Sequence, residues 1–341
     1  MSMLRKMRAI LSFAVILTLS ACANGGLGGM SMDRMEADLR AAQPSLLRYA
    51  RISQAAYVKP EEDSSCANLT ASLQAAALPP MLCHPLPIPG SSHRAAYLIG
   101  SDGERQIIAI RGTANTGDAL IDLGTQRARD DELEVEVHSG FLRVARAIRN
   151  DMRDNNRLSS DQPIVLTGHS LGGAVAVVLG GILVSEQPRL YDVQGIYTYG
   201  QPKVFGNDGA VAARDFSRLI MRVVNCGDPV PIVPVSQGWF DHVISLSLFT
   251  RYRLTDFQHV GESIVLMPNG RFWMPGPIDF ERDLPGPGIT TLVDAIRQRH
   301  HEHEVSLYAQ RIDDLASNAV PARPQAVQPC AEPPRVRVAS N

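Results

Sequence analysis

Residues 168–172 read Gly168-His169-Ser170-Leu171-Gly172, a serine between two glycines at the spacing of a nucleophile elbow. A serine hydroxyl can attack a carbonyl carbon when a sharp turn between a strand and a helix holds it out. Bulky neighbours would clash in that turn, so glycine on each side suits it. The preceding Ile164-Val165-Leu166 has the pattern of a buried strand. Gly173, Ala174 and Ala176 keep the following helix slim enough to approach a sheet. That helix would aim its first N–H groups, beginning with Leu171, at a developing oxyanion. The bland alternative is a tight strand–helix turn with an idle serine.

The serine needs a base to take its proton and an acid to orient the base. On a strand–turn–helix elbow the chain order is serine, acid, histidine. Asp228 follows the apolar run Leu219–Val224, so it falls at the sheet edge that presents Ser170, with Pro229 and Pro231 stiffening its loop. Asp208 and Asp215 come too early, inside a helical run, and Asp241 and Asp256 have no strand end beneath them. Five histidines follow Asp228: His242, His259, His300, His301 and His303. Order alone does not choose among them. His259 flows straight into the apolar run Ser263–Met267, a placement that suits a structural tie between loops. His303 precedes the helical run Glu304–Ala316, whose Val305, Tyr308, Ile312 and Leu315 can pin it. The crowd at 300–303 also reads as a solvated basic helix end or a metal site. No cysteine or carboxylate spacing supports a metal, and this chemistry calls for no cofactor.

The elements that must position these groups follow from periodicity. Residues 31–58 read as a helix and 59–92, with six prolines, as a loop. His93–Ile99, Gln106–Ile110, Leu133–Val137, Pro163–Thr167, Val193–Tyr199 and Arg218–Val224 read as strands. Phe141–Arg153, Leu171–Ser185 and Asp208–Phe216 read as helices. Short apolar strands alternating with helices predict an α/β fold, with a mostly parallel sheet covered on both faces.

With these motifs in order, the chain resembles the class 3 lipases, the fungal-lipase-like branch of the α/β-hydrolases. The elbow Gly168-His169-Ser170-Leu171-Gly172-Gly173 resembles that family's. Ile110-Arg111-Gly112-Thr113 resembles its oxyanion segment, and Val137-His138-Ser139-Gly140-Phe141 the turn entering the helix before the nucleophile strand. Tyr199-Gly200-Gln201-Pro202-Lys203-Val204 resembles the turn after the next strand, and Asn225-Cys226-Gly227-Asp228-Pro229-Val230-Pro231 the acid's segment. His303-Glu304-Val305-Ser306-Leu307-Tyr308 resembles the catalytic histidine placed five residues before a tyrosine. The resemblance covers residues 45–315. It implies an α/β-hydrolase fold, the triad Ser170, Asp228 and His303, and an oxyanion hole of Leu171 and Thr113. It also implies a serine carboxylic ester hydrolase, a lipase or esterase working through an acyl-serine. A phospholipase A1-type deacylase with the same triad, or an inactive hydrolase-fold envelope lipoprotein, are the alternatives. The family's lid region departs here: Asn115–Glu136 is acidic, and the apolar run lies instead around Trp239–Tyr252, as an acyl-binding flap or as core.

The N-terminus reads as an address. Arg5, Lys6 and Arg8 precede the apolar stretch Ala9–Leu19, too short to span a bilayer comfortably. Leu19-Ser20-Ala21-Cys22 resembles a bacterial lipobox, so Cys22 is the expected lipidation site and membrane tether. Each buried acyl methylene adds roughly 0.8 kcal/mol to such an anchor. Ala23, where an aspartate would retain a lipoprotein at the inner membrane, implies export to the outer membrane by that resemblance. The expected organisation is a signal peptide over 1–21, a lipidated tether and N-terminal segment over 22–44, the hydrolase domain over 45–317, and a disordered Pro/Ala/Val-rich tail over 318–341. Of the five cysteines, Cys66 and Cys83 flank a Pro-rich loop and form the expected disulfide in an oxidising compartment. Cys226 reads as a buried small hydrophobe. With 33 basic and 35 acidic residues the net charge is −2, and nothing points to nucleic acid. The expected partners are an acyl ester or lipid substrate and a membrane; oligomeric state is not legible.

Overall fold

The computed structural model describes residues 32–57, 73–90, 94–112, 126–186, 188–206, 209, 213–234, 257–274 and 299–321. Cys22, Cys66, Thr113, His242, the Trp239–Tyr252 run, the first half of the expected lid (115–125) and the tail beyond 321 lie outside them. Among the described residues, eleven strands appear. These are β1 (Met81–Pro87), β2 (Arg94–Ser101), β3 (Gln106–Ile110), β4 (Arg127–Asp130), β5 (Val135–His138), β6 (Ile164–His169), β7 (Val193–Tyr199), β8 (Ile220–Asn225), β9 (Glu262–Leu266), β10 (Arg271–Trp273) and β11 (Val320–Pro321). The helices are α1 (Met32–Ala55), α2 (Ser139–Asp154), α3 (Leu171–Ser185), the single turn α4 (Arg214–Ser217) and α5 (Val305–Asn318).

Nine strands make one sheet in the order β1-β2-β3-β6-β7-β8-β9-β10-β11, while β4 and β5 pair apart from it. Its centre, β3-β6-β7-β8-β9, is parallel throughout. This is the α/β-hydrolase architecture. Alternation along each strand divides the core between two faces. Ile107 and Ala109 of β3 join α1 and α5, through Leu46, Ile52, Tyr308 and Ile312. Ile108 and Ile110 join α2 and α3, through Phe141, Ile148, Val177 and Ile182. Strands buried on both sides read as apolar runs, as in Ile107–Ile110 of β3. Helix α3 is apolar nearly all round because the sheet and α2 both cover it. No helix of the described residues is long and apolar enough to cross a membrane.

Three expectations are corrected. The stretch 59–92 is not all loop: Met81–Pro87 pairs antiparallel with β2. Its prolines are tolerated because β1 is the edge strand, where N–H donors are not all needed. The strand near Leu133–Val137 starts at Val135 and pairs with β4 rather than joining the main sheet. Val320 and Pro321 are not tail, since they lie parallel to Arg271 and Phe272 of β10.

Candidate active site

Parallel strands deliver their C-terminal ends to one edge, where Ser170 follows β6 and Asp228 follows β8, with His303 bonded to Asp228. Ser170 joins β6 to α3 with φ 59° and ψ −132°, a left-handed conformation that a side-chain-bearing residue adopts only when its surroundings enforce it. The enforcement is close packing. A Cβ at Gly172 would collide with the Ile110 carbonyl of β3, and one at Gly168 with the Gly172 carbonyl. The Ser170 N–H donates to Tyr199 O at 2.9 Å, tying the elbow to the end of β7. Leu171 opens α3, where the first N–H groups have no partner within the helix.

Asp228 lies three residues past the end of β8. His303 ends a short 3-10 turn, His300–His303, directly before α5. The two meet: Nδ1 of His303 is 2.8 Å from Oδ2 of Asp228. A carboxylate only accepts, so Nδ1 carries the proton and Nε2 is left as the acceptor. Both ends of the pair are held from behind. Tyr308 OH donates to the same Asp228 oxygen at 2.6 Å, and Val230 N–H donates to Oδ1 at 2.8 Å. Burial, then the charge of Asp228, raises the Tyr308 pKa well above its ordinary value, so the phenol remains a donor. Asn225, the last residue of β8, donates its N–H to Tyr308 OH at 3.0 Å and its amide to Glu302 O at 3.0 Å. One strand end thereby fixes the acid's partner and the base's turn together. Gly200 completes the junction, because a Cβ there would stand 2.8 Å from Asp228 Oδ2 and 2.9 Å from the His303 ring.

Ser170 Oγ and His303 Nε2 are both buried, and neither has a hydrogen-bond partner among the described residues. Ser170 is 0% exposed. Next to it Val230, Ile232 and Val233 pack on Leu171, an apolar wall beside the elbow.

The other histidines separate cleanly. His300 and His301 are exposed, while His303 is buried. His259 points elsewhere, its Nε2 2.6 Å from Pro231 O. Burial, then the cations Arg222 and Lys203, push its pKa well down and keep it neutral. Cys226 is buried beside Val265 and Met267 as expected of a small hydrophobe, but it is disulfide-bonded, as is Cys83. Cys83 on β1 and Cys226 after β8 are five strand steps apart in the sheet order, about 24 Å at ~4.8 Å per step. A disulfide tolerates about 7 Å between Cα atoms, so these two do not bond each other.

Residues 107–238 match the model of the class 3 lipases. Through that segment the chain is similar to the class 3 lipase family. It is 29% identical over 153 residues to a lipase of Rhizopus niveus, covering 43% of this chain and 39% of that protein. To secreted mono- and diacylglycerol lipase 1 of Fusarium solani it is 30% identical over 145 residues, covering 41% and 42%. The chain thus spans about two fifths of the length of these curated relatives. In fold it is similar to the Lip2 lipase of Yarrowia lipolytica, with a TM-score of 0.50 at 20% identity, over 66% of this chain and 79% of that one.

Sequence reasoning missed three contributors to this site. Tyr308 was legible only as a packing residue; its hydroxyl on Asp228 needed the fold. Gly200 was legible only as one residue of the turn Tyr199–Val204, and Tyr57 carries no motif of its own.

Proposed function

We propose that this protein is a serine carboxylic ester hydrolase acting on acyl lipids or simpler esters. The observation that carries the reading is the His303–Asp228 pair at 2.8 Å, with its free Nε2 on the sheet edge that bears the strained Ser170. In the proposed reaction Ser170 Oγ attacks the ester carbonyl carbon as its proton passes to His303 Nε2. Collapse of the tetrahedral intermediate breaks the bond to the alcohol, which takes that proton and leaves. Water then adds to the acyl-serine, giving its proton to Nε2, and the second collapse releases the acid and returns the proton to Ser170. Asp228 holds the imidazole and stabilises its cation. Leu171 N–H, with Thr113 as the second donor, stabilises the oxyanion, where one donor is worth about 3–4 kcal/mol. The apolar wall of Val230, Ile232 and Val233 favours an acyl chain over a polar one.

The test is labelling with a fluorophosphonate, followed by p-nitrophenyl esters and a phospholipid of rising chain length. Labelling at Ser170 with turnover of a medium-chain ester supports an esterase or lipase. Turnover of the phospholipid alone would favour the deacylase, and no labelling of folded protein would leave an inactive scaffold.

The same reading includes export and anchoring. Residues 1–21 act as a signal, Cys22 is lipidated, and 22–44 tether the hydrolase domain to the cell envelope. The named relative from Fusarium solani is a secreted protein. Cys83 and Cys226 are each disulfide-bonded; in this reading Cys83 pairs with Cys66 and Cys226 with Cys330, which leaves Cys22 as the remaining cysteine of the five. Non-reducing peptide mapping of protein purified from membranes is expected to find both disulfides and an acylated N-terminal Cys22. An intact Met1, an unmodified Cys22, or Cys22 within a disulfide would refute it.

A further inference from the structure

His169 occupies the variable position of the elbow, where the motif asks for no particular side chain. It is buried at 3% exposure and touches two other parts of the chain. Its Nε2 is 2.6 Å from the backbone oxygen of His303, and its Nδ1 is 2.8 Å from the hydroxyl of Tyr57. The two imidazole rings lie against each other, centroids 4.5 Å apart and 35° between planes. A carbonyl only accepts, so Nε2 carries the hydrogen. A neutral ring then has a bare Nδ1, which accepts from Tyr57 OH. Burial, then the neighbouring His303, drives the His169 pKa well down, and burial raises that of Tyr57, so both groups keep these forms. The hydroxyl's other acceptor, the His169 carbonyl, is farther, at 3.4 Å. Tyr57 also packs against Gly112, whose place a Cβ could not take without striking the Tyr57 hydroxyl. One phenol just past the end of α1 thus meets the residue before Thr113 and the residue before Ser170. Through His169 it reaches the backbone of His303.

We propose that His169, with its tautomer set by Tyr57, is a positioning residue that holds the backbone of His303 so that Nε2 stays within reach of Ser170. This rests on the ester-hydrolase reading above. The pair converts packing of the N-terminal helix into alignment of base and nucleophile. An imidazole that stays neutral is needed there: two cations at ring-stacking distance would oppose the imidazolium that His303 must form.

Two measurements test it. In protein carrying 15N-labelled histidine near neutral pH, His169 is expected to show a protonated, pyrrole-type Nε2 and a bare Nδ1. Tyr57→Phe is expected to perturb that Nδ1 resonance. The reverse tautomer, or a His169 that titrates like an exposed histidine, overturns the proposal whatever the enzyme's activity. The kinetic arm compares His169→Gln, whose amide can place an N–H near the lost Nε2–H, with His169→Phe, which keeps bulk and loses the donor. His169→Phe is expected to lower kcat on a p-nitrophenyl ester by about 10²-fold, the scale of a small misplacement of catalytic groups. KM should hardly move, and His169→Gln should recover most of the loss. Equal losses in both variants, or a loss carried by KM, overturn it. If the parent is not labelled by fluorophosphonate, the hydrolase reading fails, and the tautomer measurement still decides the Tyr57–His169–His303 arrangement.

Discussion

Ser170→Ala is expected to lower ester turnover by on the order of 10⁶, the scale seen when a triad serine is removed, and to abolish fluorophosphonate labelling. Folding should survive. Ser170 Oγ makes no hydrogen bond among the described residues, so its removal leaves no buried partner stranded. The unusual φ of 59° costs alanine about what it costs serine, and the Ser170 N–H bond to Tyr199 O is a backbone bond that the substitution keeps. The thermal midpoint should therefore shift little while activity vanishes. Turnover within tenfold of the parent, in protein that melts like the parent, would remove Ser170 from the role of nucleophile.

What the sequence made legible, and what it hid, divides along the range of the interactions. Gln106–Ile110, Leu171–Ser185 and Val193–Tyr199 have the expected bounds because burial on both faces writes itself as an apolar run. The elbow was legible for a related reason: its backbone leaves room only for glycine at 168 and 172. Edge strands are harder. In β1 the burial pattern is mixed and prolines interrupt it, so its pairing with β2 depends on partners rather than on local pattern. The hydrogen bonds that support the His303–Asp228 pair from behind were hidden altogether. Tyr308 reaches Asp228 across 80 residues and Tyr57 reaches His169 across 112. Nothing local marks either phenol as different from core tyrosines such as Tyr49, which stacks on Tyr197. The sequence left Cys226 open to misreading too, since a bonded half-cystine and a buried thiol share the same apolar surroundings.

The second large effect separates His303 from His259. Both follow Asp228 in the chain, so order does not decide, and His303 is buried while His259 is half-buried, which does not exclude either. Hydrogen bonding decides. His303 puts Nδ1 on Asp228 and keeps Nε2 free, which is what a general base facing a serine requires. His259 commits Nε2 to the Pro231 carbonyl, and a nitrogen that carries that proton cannot also receive one from Ser170. His303→Ala should accordingly lose about 10⁴- to 10⁶-fold in kcat, as triad members acting as a unit do. His300 and His301 sit in solvent on the far side of the turn's buried residue and should not substitute. His259→Ala should act on stability instead. It strips a bond from the loop that follows Asp228 and leaves a buried carbonyl unpaired, a cost of about 1–3 kcal/mol. Once folded, it should keep activity within about tenfold and label with fluorophosphonate. Asp228→Asn provides the internal control: it should fold yet fall by about 10⁴-fold, because an amide can no longer impose the tautomer. Labelling that survives in His303→Ala and disappears in a well-folded His259→Ala would reverse the assignment and move the base to the other loop.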